Sequence, residues 1–135
     1  MTCESLSVIA STLANGGVCP TTGDSCLSPD SVADVRALMY SCGLYNYSGH
    51  FAFDVGIPAK SGVSGVTMVV IPNIMGIVLW SPNLDELKNS VRGTMFCEEL
   101  LKTYAFHRFI RFHKNINLKT SDAKKKSDTP SLAAC

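Results

Sequence analysis

Residues 45–65 of the chain read YNYSGHFAFDVGIPAKSGVSG, and the other elements are arranged around this stretch. In its first half, four apolar side chains occupy every second position: Phe51, Phe53, Val55 and Ile57. Alternation with a period of two is typical of a half-buried β-strand, because successive side chains of a strand point to opposite faces. The pattern therefore predicts a strand over residues 50–57.

The second half of the stretch is a glycine-containing loop that carries the triplet Lys60-Ser61-Gly62 shortly before another apolar run. A Lys-Ser/Thr-Gly triplet at the entrance to a strand is one of the three motifs of penicillin-recognising serine enzymes. Because three common residues also recur by chance, the triplet alone is a weak signal.

Two further apolar runs, residues 66–71 and 76–80, predict two more strands. Short loops join the three predicted strands, which favours an antiparallel meander. Residues 66–70 are apolar on both faces apart from Thr67, and such a strand is typically covered by helices on both sides. The expected fold class is therefore α+β, with an antiparallel sheet packed with helices.

Capping residues and apolar spacing predict three helices. The first covers residues 3–13 and ends near a glycine pair that suits a left-handed C-cap. Ser28 caps the second helix, which has Pro29 at its first position and ends at Gly43. Ser90 caps the last helix, which runs to about residue 106. The predicted buried faces are Val32, Val35, Leu38, Met39 and Cys42 on the second helix and Val91, Met95, Leu101 and Tyr104 on the last.

The composition is that of a globular domain with a basic end. Of the 135 residues, 46% are apolar and 17% are charged, and the formal net charge is only +1, so no global field indicates a nucleic-acid or acidic partner. From residue 108 onward, seven Lys and Arg oppose two Asp, whereas the remainder carries five against nine Asp and Glu. We expect residues 1–107 to be folded and residues 108–135 to form a basic, disordered tail.

The basic end permits an alternative interpretation. Aromatic residues interleave there with cationic ones, and a cationic groove with stacking aromatics is what single-stranded nucleic acid requires. The residues concerned are Phe106, Phe109 and Phe112 with Arg108, Arg111 and Lys114. A last helical turn followed by a solvated end explains the same pattern and is favoured, so we expect no nucleic-acid partner.

Cysteine spacing and segment lengths exclude several classes of protein. The six cysteines form no C-x-x-C pair, which indicates reduced thiols in an intracellular compartment. His50, His107 and His113 do not supply metal-ligand spacing, so we expect neither a metal nor another cofactor. No secretory or transit segment is visible, and the longest apolar run, residues 66–80, is too short to span a bilayer, so we expect no membrane partner.

With its flanks, the stretch at residues 45–65 resembles the serine-dependent glutaminases, which have a β-lactamase-like fold. The matching pieces run from about residue 2 to about residue 106. They are Thr2-Cys3-Glu4-Ser5-Leu6, Thr12-Leu13-Ala14-Asn15-Gly16-Gly17, Cys19-Pro20, Leu27-Ser28-Pro29, Ser41-Cys42-Gly43-Leu44-Tyr45, residues 51–65, Trp80-Ser81-Pro82, Leu84-Asp85 and Asn89-Ser90-Val91. The resemblance implies hydrolysis of L-glutamine to L-glutamate and ammonia, in which a serine attacks the side-chain amide and water releases glutamate from the acyl-enzyme.

The resemblance assigns two catalytic and substrate-binding positions. Tyr45 matches the family tyrosine whose hydroxyl lies beside the nucleophilic serine, where a phenol can relay a proton. Val63 matches the residue whose backbone N–H forms half of the oxyanion hole, and a rigid main-chain donor suits that task. Lys60, Ser61 and Gly62 would support this edge, the glycine by close backbone approach and the lysine by a positive field.

Each of these residues also has an ordinary structural interpretation. A tyrosine after a helix-ending glycine is commonly a packing residue, and a glycine-bearing hairpin loop needs no function. An isolated lysine such as Lys60 is commonly solvated. The family match is what favours the catalytic interpretation of Tyr45 and Val63.

The resemblance also implies that the nucleophile lies upstream of the matching region. Glutaminases use a Ser-x-x-Lys motif on a helix, in which the lysine can take the proton of the serine. Ser121-Asp122-Ala123-Lys124 has this spacing but lies in the polar tail, so we treat it as a chance occurrence. We expect residues 1–107 to be the C-terminal part of a glutaminase catalytic domain, inactive alone. The alternatives are a non-catalytic or pseudo-enzyme chain that packs against a full-length glutaminase, and another acyl-serine hydrolase of this fold.

Three positions depart from the family pattern. Val66 and Lys88 stand where the family has glycine, and Asn46 replaces an aspartate after the tyrosine. A Cβ at position 66 is expected to crowd a neighbouring strand, and position 88 is expected to need an unusual backbone angle.

Resemblance to the animal enzymes further implies a mitochondrial location, although this chain shows no targeting signal. It also implies L-glutamine as the ligand, a role in glutamine metabolism and glutamate formation, and a homodimer or homotetramer at full length.

Overall fold

A computed structural model describes residues 1–109 of the chain. Helix α1 covers Cys3–Ala14 and helix α2 covers Pro29–Cys42. One turn of 3-10 helix, Tyr45–Tyr47, leads into helix α3 at Ser48–Asp54, and helix α4 covers Val91–Thr103. The Ser-x-x-Lys at residues 121–124 and most of the predicted tail lie outside the described residues.

Three strands form one antiparallel sheet in the order β1-β2-β3. Strand β1 covers Ala59–Ser61, β2 covers Val66–Ile71 and β3 covers Met75–Trp80. Lys60 lies opposite Met68 in the first pair of strands. The predicted antiparallel meander and the α+β fold class are confirmed, as are the two strands that follow the glycine loop.

The strand predicted over residues 50–57 is wrong, because this segment begins as helix α3 and the chain enters the sheet only at β1. Phe51 and Val55 are both buried four positions apart, as on one side of a helix, whereas Phe53 keeps 68% of its surface exposed. His50 and Asp54 are also four apart, and their Nε2 and Oδ2 atoms lie 2.9 Å from each other. Positions four apart share a face in a strand and in a helix, so the apolar spacing did not distinguish the two.

Helices cover both faces of the sheet and enclose two hydrophobic clusters. One cluster lies between the sheet and helices α3 and α4, and its buried residues include Phe51, Val69 and Cys97. The other lies between the sheet and helices α1 and α2, and it includes Val32 and Val70. Adjacent residues of a strand point to opposite faces, so the central strand β2 is buried on both sides, as its apolar run predicted.

The predicted helix caps are confirmed. The Ser28 hydroxyl accepts a hydrogen bond from the Ser31 N–H at 3.2 Å, and the Ser90 hydroxyl accepts one from the Gly93 N–H at 3.2 Å. Side chains of this type satisfy backbone donors that have no partner within the first turn of a helix. The sequence therefore located the start of both helices correctly.

The predicted buried faces of α2 and α4 are only partly right. On α4 the buried residues are Gly93, Thr94 and Cys97, and a Cβ on Gly93 would lie 2.6 Å from Thr67 Oγ1, so the missing side chain allows the helix to approach the sheet closely. Leu101 packs against the core only in part. The predicted face residues that remain exposed are Val91, Met95 and Tyr104 on α4 and Val35, Leu38 and Cys42 on α2.

Helix α4 ends at Thr103, earlier than predicted, and the chain turns back toward α2. The Arg108 guanidinium carbon lies 5.8 Å from the centre of the Tyr40 ring, and Phe109 meets the same ring edge-on at 6.4 Å. These first two residues of the predicted tail therefore pack on the folded part.

The five described cysteines, Cys3, Cys19, Cys26, Cys42 and Cys97, form no disulfide with one another. Within residues 1–109 no helix combines the length and apolarity that crossing a bilayer requires.

Candidate active site

Tyr45 has a backbone conformation that is rare for a large side chain. It follows the Gly43 end of α2, and its φ is +53°, in the left-handed region that costs energy for any residue with a Cβ. Its side chain is 45% exposed, and the Lys60 amine lies 5.1 Å from the centre of its ring. Bulky residues with positive φ persist only where surrounding contacts impose them, and such residues cluster at functional sites.

Hydrogen bonds to the residues around Tyr45 impose this conformation. The Leu44 N–H donates to the Ser48 hydroxyl at 2.9 Å, and that hydroxyl donates to the Tyr45 carbonyl at 2.7 Å. From a segment far along the chain, the side-chain amide of Asn89 donates to the Leu44 carbonyl at 3.2 Å. Ser48 and Asn89 are both buried, so these bonds are shielded from water.

The loop that carries Val63 is closed by its own backbone. The Gly62 N–H donates to the Val66 carbonyl and the Gly65 N–H donates to the Gly62 carbonyl, each at 2.9 Å. The Trp80 indole N–H donates to the Ser64 carbonyl at 2.9 Å. Within the described part of the chain nothing accepts a hydrogen bond from the Val63 N–H, and its side chain is exposed. A main-chain donor in this state is available to a ligand.

The Lys60-Ser61-Gly62 triplet links this loop to Tyr45. The Lys60 amine donates to the Ser61 carbonyl at 2.6 Å and lies over the Tyr45 ring. The buried Ser61 hydroxyl donates to the Asn89 side-chain carbonyl at 2.5 Å, and the Ser61 N–H donates to the Gly43 carbonyl at 3.0 Å. Strand β1 thus holds the lysine and the loop beside the tyrosine.

The structure accounts for one of the three departures from the family pattern. Lys88 has φ +68°, so the unusual backbone angle expected at this position is confirmed. The Val66 side chain lies beside Gly62, where an added Cβ would approach it to 3.0 Å, and the crowding of a neighbouring strand expected from Val66 stays a prediction. Asn46, the third departure, is exposed beside Tyr45.

Sequence reasoning missed Ser48 and Asn89 as supports of the site. Asn89 enters the sequence analysis only through the matching piece Asn89-Ser90-Val91, and no local pattern connects it with Leu44, 45 positions earlier. No set of three or more His, Cys, Asp or Glu side chains in residues 1–109 is arranged to hold a metal ion. The described site therefore consists of hydroxyl, amide, amine and main-chain groups.

A family model described as Glutaminase matches residues 1–109. The chain belongs to the glutaminase family. It is 55% identical over 109 residues to the glutaminase liver isoform, mitochondrial, of Rattus norvegicus, covering 81% of this chain and 18% of that protein. It is 50% identical over 107 residues to a glutaminase of Nostoc sp., covering 79% of this chain and 32% of that protein.

The solved structures agree with this assignment. The probable glutaminase from Bacillus subtilis complexed with 6-diazo-5-oxo-L-norleucine superposes with a TM-score of 0.77 at 34% identity, covering 81% of this chain and 38% of that one. This glutaminase chain therefore has part of the β-lactamase-like fold. It spans between about a fifth and two-fifths of the length of these relatives.

Proposed function

We propose that this chain supplies the Tyr45 phenol and the Val63 N–H to an acyl-enzyme site that hydrolyses L-glutamine to L-glutamate and ammonia. The observation that carries the proposal is the left-handed Tyr45, held by buried hydrogen bonds with its ring against Lys60 of the triplet. Backbone strain of this kind is maintained where the position of one side chain matters. The names of the relatives support glutamine as the substrate.

The proposed chemistry divides amide hydrolysis into two steps. A serine oxygen attacks the side-chain amide carbon of glutamine, the C–N bond breaks, and ammonia leaves after taking up a proton. Water then attacks the acyl-enzyme and releases glutamate. The negative charge that develops on the amide oxygen is bound by the Val63 N–H together with the N–H of the serine, while the Tyr45 hydroxyl lies where it can relay protons.

The serine and its lysine are proposed to come from a part of the site that residues 1–109 do not contain. The sequence has one Ser-x-x-Lys, at residues 121–124, and we continue to regard it as a chance match. We therefore expect no turnover of glutamine by the chain alone.

Complementation tests this proposal directly. The purified chain is mixed with the Nostoc glutaminase from which the segment matching this chain has been deleted, and ammonia release from glutamine is measured. We expect activity only in the mixture, because each part lacks groups that the other supplies. A substantial rate with the chain alone, or no rate in a mixture that forms a complex, would contradict the proposal.

A tyrosine pair provides the matched control. Tyr45→Phe removes the phenol proposed to act on the substrate, and we expect it to reduce kcat of the complemented enzyme by about 100-fold. Tyr104→Phe removes a phenol that is also half-exposed but lies at the end of α4, where its ring stacks on Phe106. We expect the second variant to retain the activity of the unaltered chain.

A second candidate function is that of a non-catalytic chain that binds a full-length glutaminase. The observation that favours it is a set of large apolar side chains that are more than half exposed, which is more than a self-sufficient domain usually leaves to water. They are Leu38, Phe53, Val63, Ile74, Trp80 and Met95. Size-exclusion chromatography with an intact glutaminase separates the two candidates, because a stable complex that adds no activity supports the binding chain.

A further inference from the structure

We propose that Asn89 is the residue that positions Tyr45, by fixing the Leu44 carbonyl and the end of β1 in one rigid unit. The inference deepens the proposed function, since it rests on Tyr45 acting at the glutaminase site. Asn89 itself is fully buried and acts through the backbone of Leu44 and the Ser61 hydroxyl.

Tyr45 requires an external constraint. Its φ of +53° is unfavourable for a residue with a large side chain, and no glycine or asparagine is present at this position to accommodate it. Ser48 contributes two short bonds, but it lies only three residues away and moves with the same turn. A local turn can relax as a unit, so it does not by itself orient the tyrosine relative to the sheet.

Asn89 supplies the missing long-range connection. Its amide nitrogen donates to the carbonyl of Leu44 at 3.2 Å and to that of Leu87 at 3.2 Å, while its amide oxygen accepts the Ser61 hydroxyl proton at 2.5 Å. One side chain thereby joins the turn before Tyr45, the strand that carries Lys60, and the turn that leads into α4. The bonds to Leu44 and Ser61 are buried, so they are strong and losing one partner is costly, whereas the bond to Leu87 is only part-buried.

Asn89 is itself held by a closed turn. Its N–H donates to the Asp85 carboxylate at 2.9 Å, and its carbonyl accepts the Asp85 N–H at 2.8 Å. The left-handed Lys88 immediately precedes it, so a second strained residue lies in the same network. The two strained residues, Tyr45 and Lys88, are 43 positions apart in the sequence, and the buried Asn89 amide links the segments that contain them. This is the pattern expected when a fold sacrifices stability to fix the direction of a functional group.

Fluorine NMR of the chain tests the positioning independently of catalysis. The four tyrosines are replaced by 3-fluorotyrosine, and the Tyr45 resonance is identified by its disappearance in Tyr45→Phe. We expect Asn89→Ala to shift or broaden the Tyr45 resonance while those of Tyr40 and Tyr104 stay in place. Thr94→Ala is the matched control, because it removes one buried and one part-buried hydrogen bond in the first turn of α4 but none to Leu44 or Ser61. A Tyr45 signal unchanged in Asn89→Ala would overturn the inference.

Ser61→Ala keeps the inference testable if Asn89→Ala does not fold. It removes the hydroxyl that donates to Asn89 at 2.5 Å and also lies 3.5 Å from the Gly43 carbonyl, and it leaves the shorter backbone bond from Ser61 to Gly43 intact. We expect it to perturb the Tyr45 resonance in the same direction but less. A Ser61→Ala spectrum identical to that of the unaltered chain would overturn the inference.

Kinetics of the complemented enzyme separate this inference from the proposed function. We expect Asn89→Ala to reduce kcat by about 10- to 100-fold with a smaller change in KM, as for a misplaced catalytic group, while Thr94→Ala leaves both near those of the unaltered chain. If the unaltered chain is inactive in the mixture but Asn89→Ala still moves the Tyr45 resonance, the proposed function fails and the positioning stands. If the unaltered chain is active and Asn89→Ala changes neither spectrum nor kcat, the function stands and the inference fails.

Discussion

At the scale of single residues, Tyr45 and Lys88 share a left-handed backbone conformation but differ in the contacts that their side chains make. The conformation of Tyr45 directs its ring toward Lys60. A glycine would adopt the same backbone angle with less strain, but it would lack the phenol proposed to act on the substrate. The Lys88 side chain is exposed and makes no described hydrogen bond through its amine. The strain at Lys88 therefore gives its own side chain no described contact and belongs to the turn that holds Asn89.

Replacing Lys88 with glycine should stabilise the chain. Glycine adopts positive φ without a steric penalty, and we expect Lys88→Gly to raise the free energy of unfolding by about 1 kcal/mol. Glu86→Gly, in the same turn but without positive φ, is the control and should lower stability or leave it unchanged. Urea unfolding measures both variants. Equal effects of the two substitutions would show that the angle at position 88 is not the cause.

Two thiols differ in their pKa values for identifiable reasons. Hydrogen bonds from Thr21, 3.2 Å from the sulfur through its hydroxyl, and from Thr22 lower the pKa of Cys19 from 9.0 to about 6. Burial against the core raises the pKa of Cys97 from 9.0 to about 12. At neutral pH the first is therefore largely a thiolate and the second a thiol.

Alkylation as a function of pH tests this difference. We expect the rate at Cys19, although slow because only 7% of the residue is exposed, to rise up to about pH 7 and then level off. In Thr21→Val the rate should continue to rise toward pH 9, and Cys97 should react only after unfolding. Peptide mapping by mass spectrometry assigns each rate. A rate at Cys19 that climbs steadily to pH 9 in the unaltered chain would contradict the lowered pKa.

The same pKa has a defined effect on stability. Because the pKa of Cys19 is lower in the folded than in the unfolded chain, its contribution is fully present above the unfolded pKa near 9. That contribution declines as the pH falls and is lost below about 6. The unaltered chain should therefore lose more stability between pH 9 and pH 6 than Thr21→Val does.

At the scale of elements, the contact between α1 and β3 depends on one glycine. A Cβ on Gly76 would lie 2.2 Å from the Ala10 carbonyl carbon and 2.3 Å from the Ser11 nitrogen, both in the backbone of α1. No side-chain rotation can relieve a clash with backbone. Helix α1 can therefore lie on the sheet only while position 76 has no side chain.

Gly76→Ala should accordingly separate the helix from the sheet. We expect it to lower the free energy of unfolding by about 3 kcal/mol, at the upper end of overpacking effects. Gly49→Ala is the control, because a Cβ on Gly49 in α3 meets nothing within 4 Å and alanine favours helix. We expect this control to be neutral or slightly stabilising. Thermal unfolding followed by circular dichroism gives both values, and a tolerated Gly76→Ala would contradict the close contact.

At the scale of the whole molecule, the exposed apolar side chains distinguish this chain from a self-contained domain. Trp80 and Met95, in β3 and α4, are each more than half exposed, and so is Phe53 of α3. In longer glutaminases a further part of the fold is available to cover such groups, since the chain matches only 38% of the Bacillus subtilis chain. The exposed apolar surface supports the proposed association with a complementary part of a glutaminase.

Dye binding tests whether a complementary part of a glutaminase covers these exposed apolar side chains. We expect the chain alone to bind the hydrophobic dye ANS, and we expect the binding to fall when the shortened Nostoc glutaminase is added. The intact Nostoc glutaminase is the control, because its own matching segment already occupies the site. Dye binding that is unchanged by the shortened protein would contradict a complementary surface.

Much of this organisation followed from the sequence by itself. The caps Ser28 and Ser90, strands β2 and β3 and the family assignment depend on neighbouring residues, or on motifs in order, and a linear pattern contains that information. Tyr45 and Val63 were selected as candidates in the same way, through the family motif. Their catalytic roles stay predictions that the complementation experiments address.

Only the tertiary structure decided the features that depend on residues far apart in the chain. Residues 50–57 fit both a strand and a helix locally, and packing of Phe51 and Val55 into the core selected the helix. The buried face of α4 was decided by how closely Gly93 lets it approach the sheet. The bond from Asn89 to Leu44 spans 45 positions, and no local periodicity encodes it. Backbone strain at Tyr45 is likewise balanced by contacts that exist only once these segments have come together.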